Sequence, residues 1–526
     1  MSRSCWAVAA LVGTVLPPTG WLRAATPDTP VCAKCHPKET ERYLSTPMGN
    51  SIGSPGARPA GTIAHQRSHA VITIEQRDGG MAHAIAEGGL NAERPVRYQI
   101  GVGMIARGYL VQIGDALFES PATWFNSYGW DVSPSYAGRS LIDFDRPIDE
   151  SCLFCHAGEA RFGDTDGRRL SGMAVTPIRC ERCHGASEAH VARPSSSNIV
   201  NPVKLTAAAR DSVCEQCHLE GAARVLNPGK TWADFHPGEV TERTFATYLP
   251  AGNAGAEAVA VSHFEQLAES QCARASGGQL WCGTCHQPHG DSGGRSSQIR
   301  AVCVSCHAVL SSAEHPAGQA ECTSCHMQRR ATTDIAHAAI TDHRIRRRPA
   351  AESGGSAAQV LKVWRTPPAE FTDRDLALAE LFAGGSKNIA ALGEDGVARL
   401  EELPPAQRNN DAHVLLALAG WDLQRDKIEE ALLFARRAAD LRPQSANAAM
   451  NLGIVLRRAG DSAQAERQFN RAIELDASLK QAYAELAVLY SAEHRNVEAM
   501  ATVDRYLKWN PQDILFRMQR ARMAAQ

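Results

Sequence analysis

The chain has 526 residues, with 55 basic against 57 acidic side chains and a formal charge of −2. At roughly 150 residues per domain this length predicts two to four domains, and the near-neutral balance argues against a binder of nucleic acid or another polyanion. Apolar residues make up 44%, too many for a disordered chain, and 16 cysteines with 19 histidines exclude an ordinary cytosolic enzyme.

The first stretch, MSRSCWAVAALVGTVLPPTGWLRAATPDTP, reads as an export signal over residues 1–25. Arg3 supplies the charged start, Trp6 to Leu16 the apolar run and Ala24-Ala25 a small-residue exit. The apolar run is too short to span a bilayer, and no other stretch reaches that length. The mature chain is therefore expected in the periplasm or otherwise exported, with no transmembrane segment once the signal is removed.

In that setting many cysteines usually mean disulfides, but their spacing says otherwise. Fourteen fall in seven copies of C-x-x-C-H: Cys32/Cys35/His36, Cys152/Cys155/His156, Cys180/Cys183/His184, Cys214/Cys217/His218, Cys282/Cys285/His286, Cys303/Cys306/His307 and Cys322/Cys325/His326. Two thiols at this spacing add to the two vinyl groups of a haem, and the next His becomes the proximal iron ligand. Zinc has no reason to demand a His after every second Cys. The cofactor expected is seven covalently bound haem c. Of the other two cysteines, Cys5 belongs to the signal; Cys272 is a buried free thiol, a thiolate ligand or a redox-active thiol beside a haem.

Ten non-motif histidines lie in residues 26–343. His65, His190, His263, His289, His315, His337 and His343 are the candidate distal ligands: His190, His289, His337 and His343 follow motifs, His315 lies between the last two, and His65 and His263 precede other motifs. His69, His83 and His236 are expected at the surface or in loops. Met48 is the thioether candidate, and no motif carries Lys in the ligand position.

Between Cys35 and Cys152 no motif occurs. Alternating stretches such as HAVITIEQ and GYLVQIGDALFESP, with glycine turns, predict a small antiparallel β insert at about 62–125. Trp124, Phe125, Tyr128, Trp130 and Tyr136 are expected to pack that sheet against haem. From Cys152 to His343 the motifs follow so closely that only short helices and loops fit between them. The run at 344–371, beginning RIRRRPAAESGGSAAQ, reads as a linker. Beyond it Leu418, Leu452 and Leu486 recur every 34 residues, as do Ala431, Ala465 and Ala499. That is the tetratricopeptide period, predicting repeats at 412–445, 446–479 and 480–513 within a domain at 372–526. The expected fold class is mainly α: a multihaem domain at 26–343, then an α-solenoid.

The runs CAKCHPKETERYLSTPMGNS, YQIGVGMIARGYL, SCLFCHAGEA, CERCHGASEAH, DSVCEQCHLEG and CTSCHMQRR with TDHRI resemble exported bacterial multihaem cytochromes c. These belong to the tetrahaem-cytochrome and hydroxylamine-oxidoreductase-like superfamily, in a subgroup fused to tetratricopeptide repeats. The resemblance implies electron transfer between redox partner proteins, with the repeats as the docking module. The alternative is an oxidoreductase acting on a small nitrogen or sulfur compound at a five-coordinate haem.

Overall fold

Alternation of apolar and polar residues builds the first half of the chain. In Val71–Arg77 the side chains of Ile72 and Ile74 are fully buried while Val71 stays exposed, the pattern of a strand with one face on a core. This computed structural model describes residues 31–525 except 78, 102–103, 173–174, 252–257, 291–294, 308–314, 316–320, 348–359 and 388. The export signal and Cys5 lie outside the described residues.

Ten strands form one antiparallel sheet: β1 (Ile52–Gly53), β2 (Gly61–Ala64), β3 (Val71–Arg77), β4 (Gly80–Glu87), β5 (Leu90–Ile100), β6 (Ala106–Ile113), β7 (Ala116–Glu119), β8 (Ala122–Phe125), β9 (Gly129–Val132) and β10 (Arg146–Ile148). The main order is β10-β7-β6-β5-β4-β3-β2; β1 pairs with β5, and β8 bridges β6 and β9. Gly88 and Gly89 turn β4 into β5 with φ of 57° and 78°, the left-handed pair that a two-residue hairpin requires. The strands run well beyond the expected 62–125, so the N-terminal region is largely β and the mainly α expectation holds only for the second half. The strands outside that range, β1, β9 and β10, are only two to four residues long.

Residues 372–524 are helical. The helices Ala412–Gln424 and Ile428–Leu441, Ala446–Arg458 and Ser462–Leu475, and Lys480–Ala492 and Asn496–Trp509 form three pairs at the tetratricopeptide period. Thr372–Lys387 with Ala390–Glu402 precedes them and Ile514–Ala524 closes the array. The period follows from packing. A Cβ on Gly453 would stand 2.7 Å from the Phe469 ring, and Ala431, Ala465 and Ala499 are all fully buried where paired helices touch.

The solenoid is docked at both ends. At its start Arg374 is buried, holding Asp411 at 2.8 Å and the Leu226 carbonyl at 2.6 Å, beside a small sheet of Ala223–Leu226, Phe245–Pro250 and Leu361–Val363. At its end Ile514 enters the core of the large sheet and Trp509 packs on Phe118. Between them, the turns from one repeat to the next reach the β region: Ser445 donates to Asp166 at 2.6 Å, and Arg169 donates to the Leu475 carbonyl at 3.0 Å.

The stretch expected as a linker is docked wherever it is described. Arg344 is buried and donates to Glu269 at 2.7 Å, Leu361–Val363 is a strand, and the Trp364 indole donates to Glu215 at 2.9 Å. Acidic neighbours neutralise what looked in sequence like a solvated basic run.

Lys480 is the cation of the far interface, 2.8 Å from Asp513, 3.8 Å from Asp143 and 4.0 Å from Asp145. Burial, then Asp513, pushes the Asp143 carboxyl up to about 7, against the pull of Lys480. Removing one partner of a buried charge cluster costs about 3–5 kcal/mol, so Lys480→Met should lower the unfolding free energy of the full chain by that order in denaturant titration. A raised carboxyl contributes stability that is complete below its unfolded value and lost as pH rises through its folded one. The Lys480→Met loss is therefore expected to be larger at pH 8 than at pH 6.

Candidate cofactor site

Each C-x-x-C-H run closes one α-turn. The His amide donates to the carbonyl of the first Cys at 2.8 Å in Cys32–His36 and Cys282–His286, 2.9 Å in Cys180–His184 and Cys303–His307, and 3.0 Å in Cys322–His326. The remaining two turns lie inside the helices Glu150–His156 and Ala207–His218. Residues three apart on such a turn share a face, so both thiols of each motif point the same way. Asp149 caps the second motif's helix, accepting from the Cys152 amide at 3.2 Å.

All fourteen motif thiols, Cys272 and all seven motif histidines line one continuous cavity of about 4440 Å³, against roughly 300–1,000 Å³ for an ordinary small-molecule site. The fifteen described cysteines are free. Thiols of different motifs come together: Cys32 with Cys180, Cys214 with Cys282, Cys303 with Cys322, and Cys155 with Cys217 are in side-chain contact. Cys183 also faces Cys214, and Cys285 and Cys272 face Cys303. The motifs beginning at Cys32, Cys180, Cys214, Cys282, Cys303 and Cys322 thus form a row, and the Cys152 motif joins its third member from the side.

Five of the seven distal candidates line the same cavity: His190, His263, His289, His315 and His343. Each has its ring opposite a motif histidine. The ring centres are 6.4 Å apart for His36 and His190, 5.9 Å for His184 and His289, and 5.8 Å for His218 and His263. They are 6.2 Å apart for both His286 with His343 and His315 with His326. Two imidazoles sharing one iron, each bonded at ~2.0 Å with its ring centre ~1.1 Å behind the nitrogen, stand about 6.2 Å apart. The observed spacings fit that requirement.

Hydrogen bonding sets the tautomers. His184 Nδ1 donates to the Val200 carbonyl at 2.7 Å, His326 Nδ1 to that of Arg346 at 2.8 Å and His343 Nδ1 to that of Thr341 at 2.8 Å, while His190 Nδ1 lies 3.0 Å from the Ser195 carbonyl and 3.4 Å from the Ser195 amide. A carbonyl only accepts, so Nδ1 carries the proton and Nε2 keeps its lone pair, the arrangement of a metal-ligating imidazole. Burial also lowers the proton affinity of His156, His218, His289 and His343, and takes His263 down to about 3, so these rings stay neutral.

The other two candidates are placed elsewhere. His65 is buried in the β region with Nδ1 2.9 Å from Ser68 Oγ and Nε2 3.3 Å from the Ala137 carbonyl. His337 stacks on Tyr128 at 3.9 Å and bonds Asp131 through Nε2 at 2.7 Å. Neither ring reaches the cavity wall. His69 and His236 are exposed, but His83 is not: it is fully buried, 2.6 Å from Ser120 Oγ, edge-on to Tyr109 and Trp130. Met48 lines the cavity, as does Phe125; Trp124 and Trp130 pack on each other, and Tyr136 is buried with its hydroxyl on the Glu119 carbonyl.

Sequence reasoning missed the cationic part of the wall. Arg179, Arg182 and Arg224 line the cavity, and each has a buried nitrogen with no hydrogen-bond partner. Such groups fit an acidic ligand edge, as the propionates of a haem provide. The only signal was the position of Arg179 and Arg182 around Cys180.

No family model matches the chain. A 179-residue stretch is 27% identical to the multiheme cytochrome MtrA of Shewanella baltica (strain OS185), covering 30% of this chain and 52% of that protein. A 123-residue stretch is 26% identical to the human protein O-mannosyl-transferase TMTC1, covering 23% of this chain and 14% of that protein. The chain therefore spans about a seventh to about half the length of these curated relatives. Among solved structures, similarity is found to the first tetratricopeptide domain of Spaghetti (RPAP3) bound to an HSP90 peptide, at 22% identity over 22% of this chain and 93% of that one, with a TM-score of 0.20. A thermophilic tetratricopeptide protein of Thermus thermophilus is 18% identical over 29% of this chain and 87% of that one, with a TM-score of 0.25.

Replacing Asp149 with Ala removes the cap of the Cys152 helix and is expected to cost about 1 kcal/mol, read as a lower thermal midpoint, while Asp149→Asn keeps most of it.

Proposed function

We propose that this chain is a periplasmic heptahaem c-type cytochrome that passes electrons between redox partner proteins. Haem c would be held through Cys32, Cys35, Cys152, Cys155, Cys180, Cys183, Cys214, Cys217, Cys282, Cys285, Cys303, Cys306, Cys322 and Cys325. The proximal ligands would be His36, His156, His184, His218, His286, His307 and His326. The observation that carries the reading is the five imidazole pairs at the spacing of shared axial ligands. When bound, haem supplies a one-electron iron couple whose potential depends on axial ligands, hydrogen bonds and burial.

This chain's own residues do the rest. The backbone carbonyls of Val200, Ser195, Thr341 and Arg346 orient four imidazoles, and the unpaired guanidinium nitrogens of Arg179, Arg182 and Arg224 balance negative charge at the wall. Contact between thiols of different motifs supports haems held side by side, as transfer along a row would require. The similarity to part of a multiheme cytochrome points the same way. The helical repeats are a protein-interaction fold; with one edge seated on the β region, partner docking falls to their remaining faces.

Produced with its export signal in a haem-maturing periplasm, the protein is expected to carry seven covalent haems by mass and pyridine haemochrome. His289→Ala should keep all seven and convert one low-spin ferric haem to high spin. Fewer haems, or a spectrum indifferent to His289→Ala, would count against the assignment.

A further inference from the structure

Exposure of the motif thiols marks where the row meets solvent. Among the fourteen, only Cys35, Cys306 and Cys325 are exposed, at the first motif and at the last two. The two ends differ in charge. Behind the first motif, the helix Pro37–Leu44 sets Lys38 and Arg42 against Glu39 and Glu41. Behind the last, the strands Arg329–Ala331 and Ala339–Thr341 pair as a hairpin that brings the chain back to the motif. There the Arg346 amide donates to the His326 carbonyl at 3.0 Å, and the Arg346 carbonyl accepts from His326 Nδ1 at 2.8 Å.

This end carries a surplus of guanidinium. On the cavity wall, Arg300 and Arg347 are equalled in number by Glu321 and Asp334. Outside the wall, Asp342 is buried beneath three arginines, 3.8 Å from Arg330, 3.4 Å from Arg344 and 3.7 Å from Arg346. Glu269 takes a second contact from Arg344 at 2.7 Å. Arg329 is exposed and spends one nitrogen on the Ala339 carbonyl at 3.2 Å. Among the described residues, then, Arg329, Arg330, Arg344 and Arg346 stand against Asp342 and Glu269, and only Arg344 of the four is buried. Other acids of the region are engaged elsewhere: Asp131 with His337 at the hairpin's far end, and Glu220 and Glu265 beside Arg224. None of the four arginines lines the cavity, so a carboxylate held inside it would meet Arg300 and Arg347 first.

We propose that the end of the row at Cys306 and Cys325, bordered by Arg329, Arg330 and Arg346, is the docking face for a small acidic electron-transfer protein whose carboxylates surround its own cofactor edge. The inference rests on the multihaem reading above, and it places this contact on residues outside the helical repeats. Surplus positive charge at one end orients an acidic partner before contact and quickens association, an effect that salt screens. Each encounter moves one electron: the carrier's reduced centre is oxidised and one ferric haem becomes ferrous, with no bond or proton transferred.

The test mixes full-length, haem-loaded protein in stopped flow with reduced plant-type ferredoxin, an acidic one-electron carrier, and separately with reduced methyl viologen, a small cation. The second-order rate with ferredoxin is expected to fall about fivefold between about 10 and about 200 mM salt. At low salt Arg329→Glu should slow ferredoxin by about threefold, without loss of haem and without slowing methyl viologen, and Arg329→Lys should keep the wild-type rate. Lys38→Glu behind the first motif and Arg436→Glu on the repeats should leave the ferredoxin rate within about twofold. A ferredoxin rate indifferent to salt or to Arg329→Glu overturns the proposal, as does an equal or larger loss in Lys38→Glu or Arg436→Glu. Absence of covalent haem altogether overturns the multihaem reading itself, so the two failures are distinguishable.

Discussion

Residues 31–347, together with Phe382, line a volume of about 4440 Å³ that their own side chains do not fill, and the rest of the structure answers to that constraint. Protein interiors are normally packed to the density of organic crystals, and a void leaves its lining without partners. The large apolar clusters lie elsewhere, in the sheet around Ile72, Tyr109 and Phe144 and in the solenoid around Phe469, Leu486 and Tyr506. Next to the cavity the clusters shrink to Phe154, Phe235 and Phe245, or Leu219, Leu249 and Phe264. A region built this way depends on what occupies it. The proposed haems would provide both the missing core and the redox chemistry, which explains why aromatic residues amount to only 6% of the chain.

A wall with little core needs a frame. The sheet supplies one side through Cys152, which packs among Ile52, Tyr98, Leu110 and Ile148. The solenoid supplies another constraint by gripping the molecule twice, through Arg374 at its start and through Ile514 and Lys480 at its end. Its turns at Ser445 and Leu475 rest on Asp166 and Arg169 between those points. Repeats tethered in this manner act as a strap across the β region, and a partner docked as proposed on their free faces would sit at a fixed angle to the cavity.

The parts legible in the sequence were those written as local periodicity. The C-x-x-C-H turns and the 34-residue spacing of Leu418, Leu452 and Leu486 are properties of neighbouring residues and survive any tertiary arrangement. The extent of the sheet was hidden because β1, β8, β9 and β10 are too short to show a period of two. Ligand choice among the histidines was hidden for a different reason. His337 follows a motif by eleven positions and His190 by six, yet only His190 reaches the cavity, because what separates them is a partner on another element: Asp131 for His337, the facing His36 for His190. The docked state of Arg344 was invisible likewise, since Glu269 lies far away in sequence.

Hydrogen bonding at the second ring nitrogen gives a criterion that proximity in sequence lacks. His184, His190, His326 and His343 engage backbone carbonyls through Nδ1 and leave Nε2 facing the cavity. His65 and His83 have both nitrogens engaged within the β region, and His337 spends Nε2 on Asp131. A ring with a carbonyl on one side and open space on the other is prepared to donate a lone pair; a ring bonded on both sides is a structural crosslink. Among the cavity histidines outside the motifs, His190 and His343 meet this criterion, and each faces a motif histidine, His36 and His286 respectively.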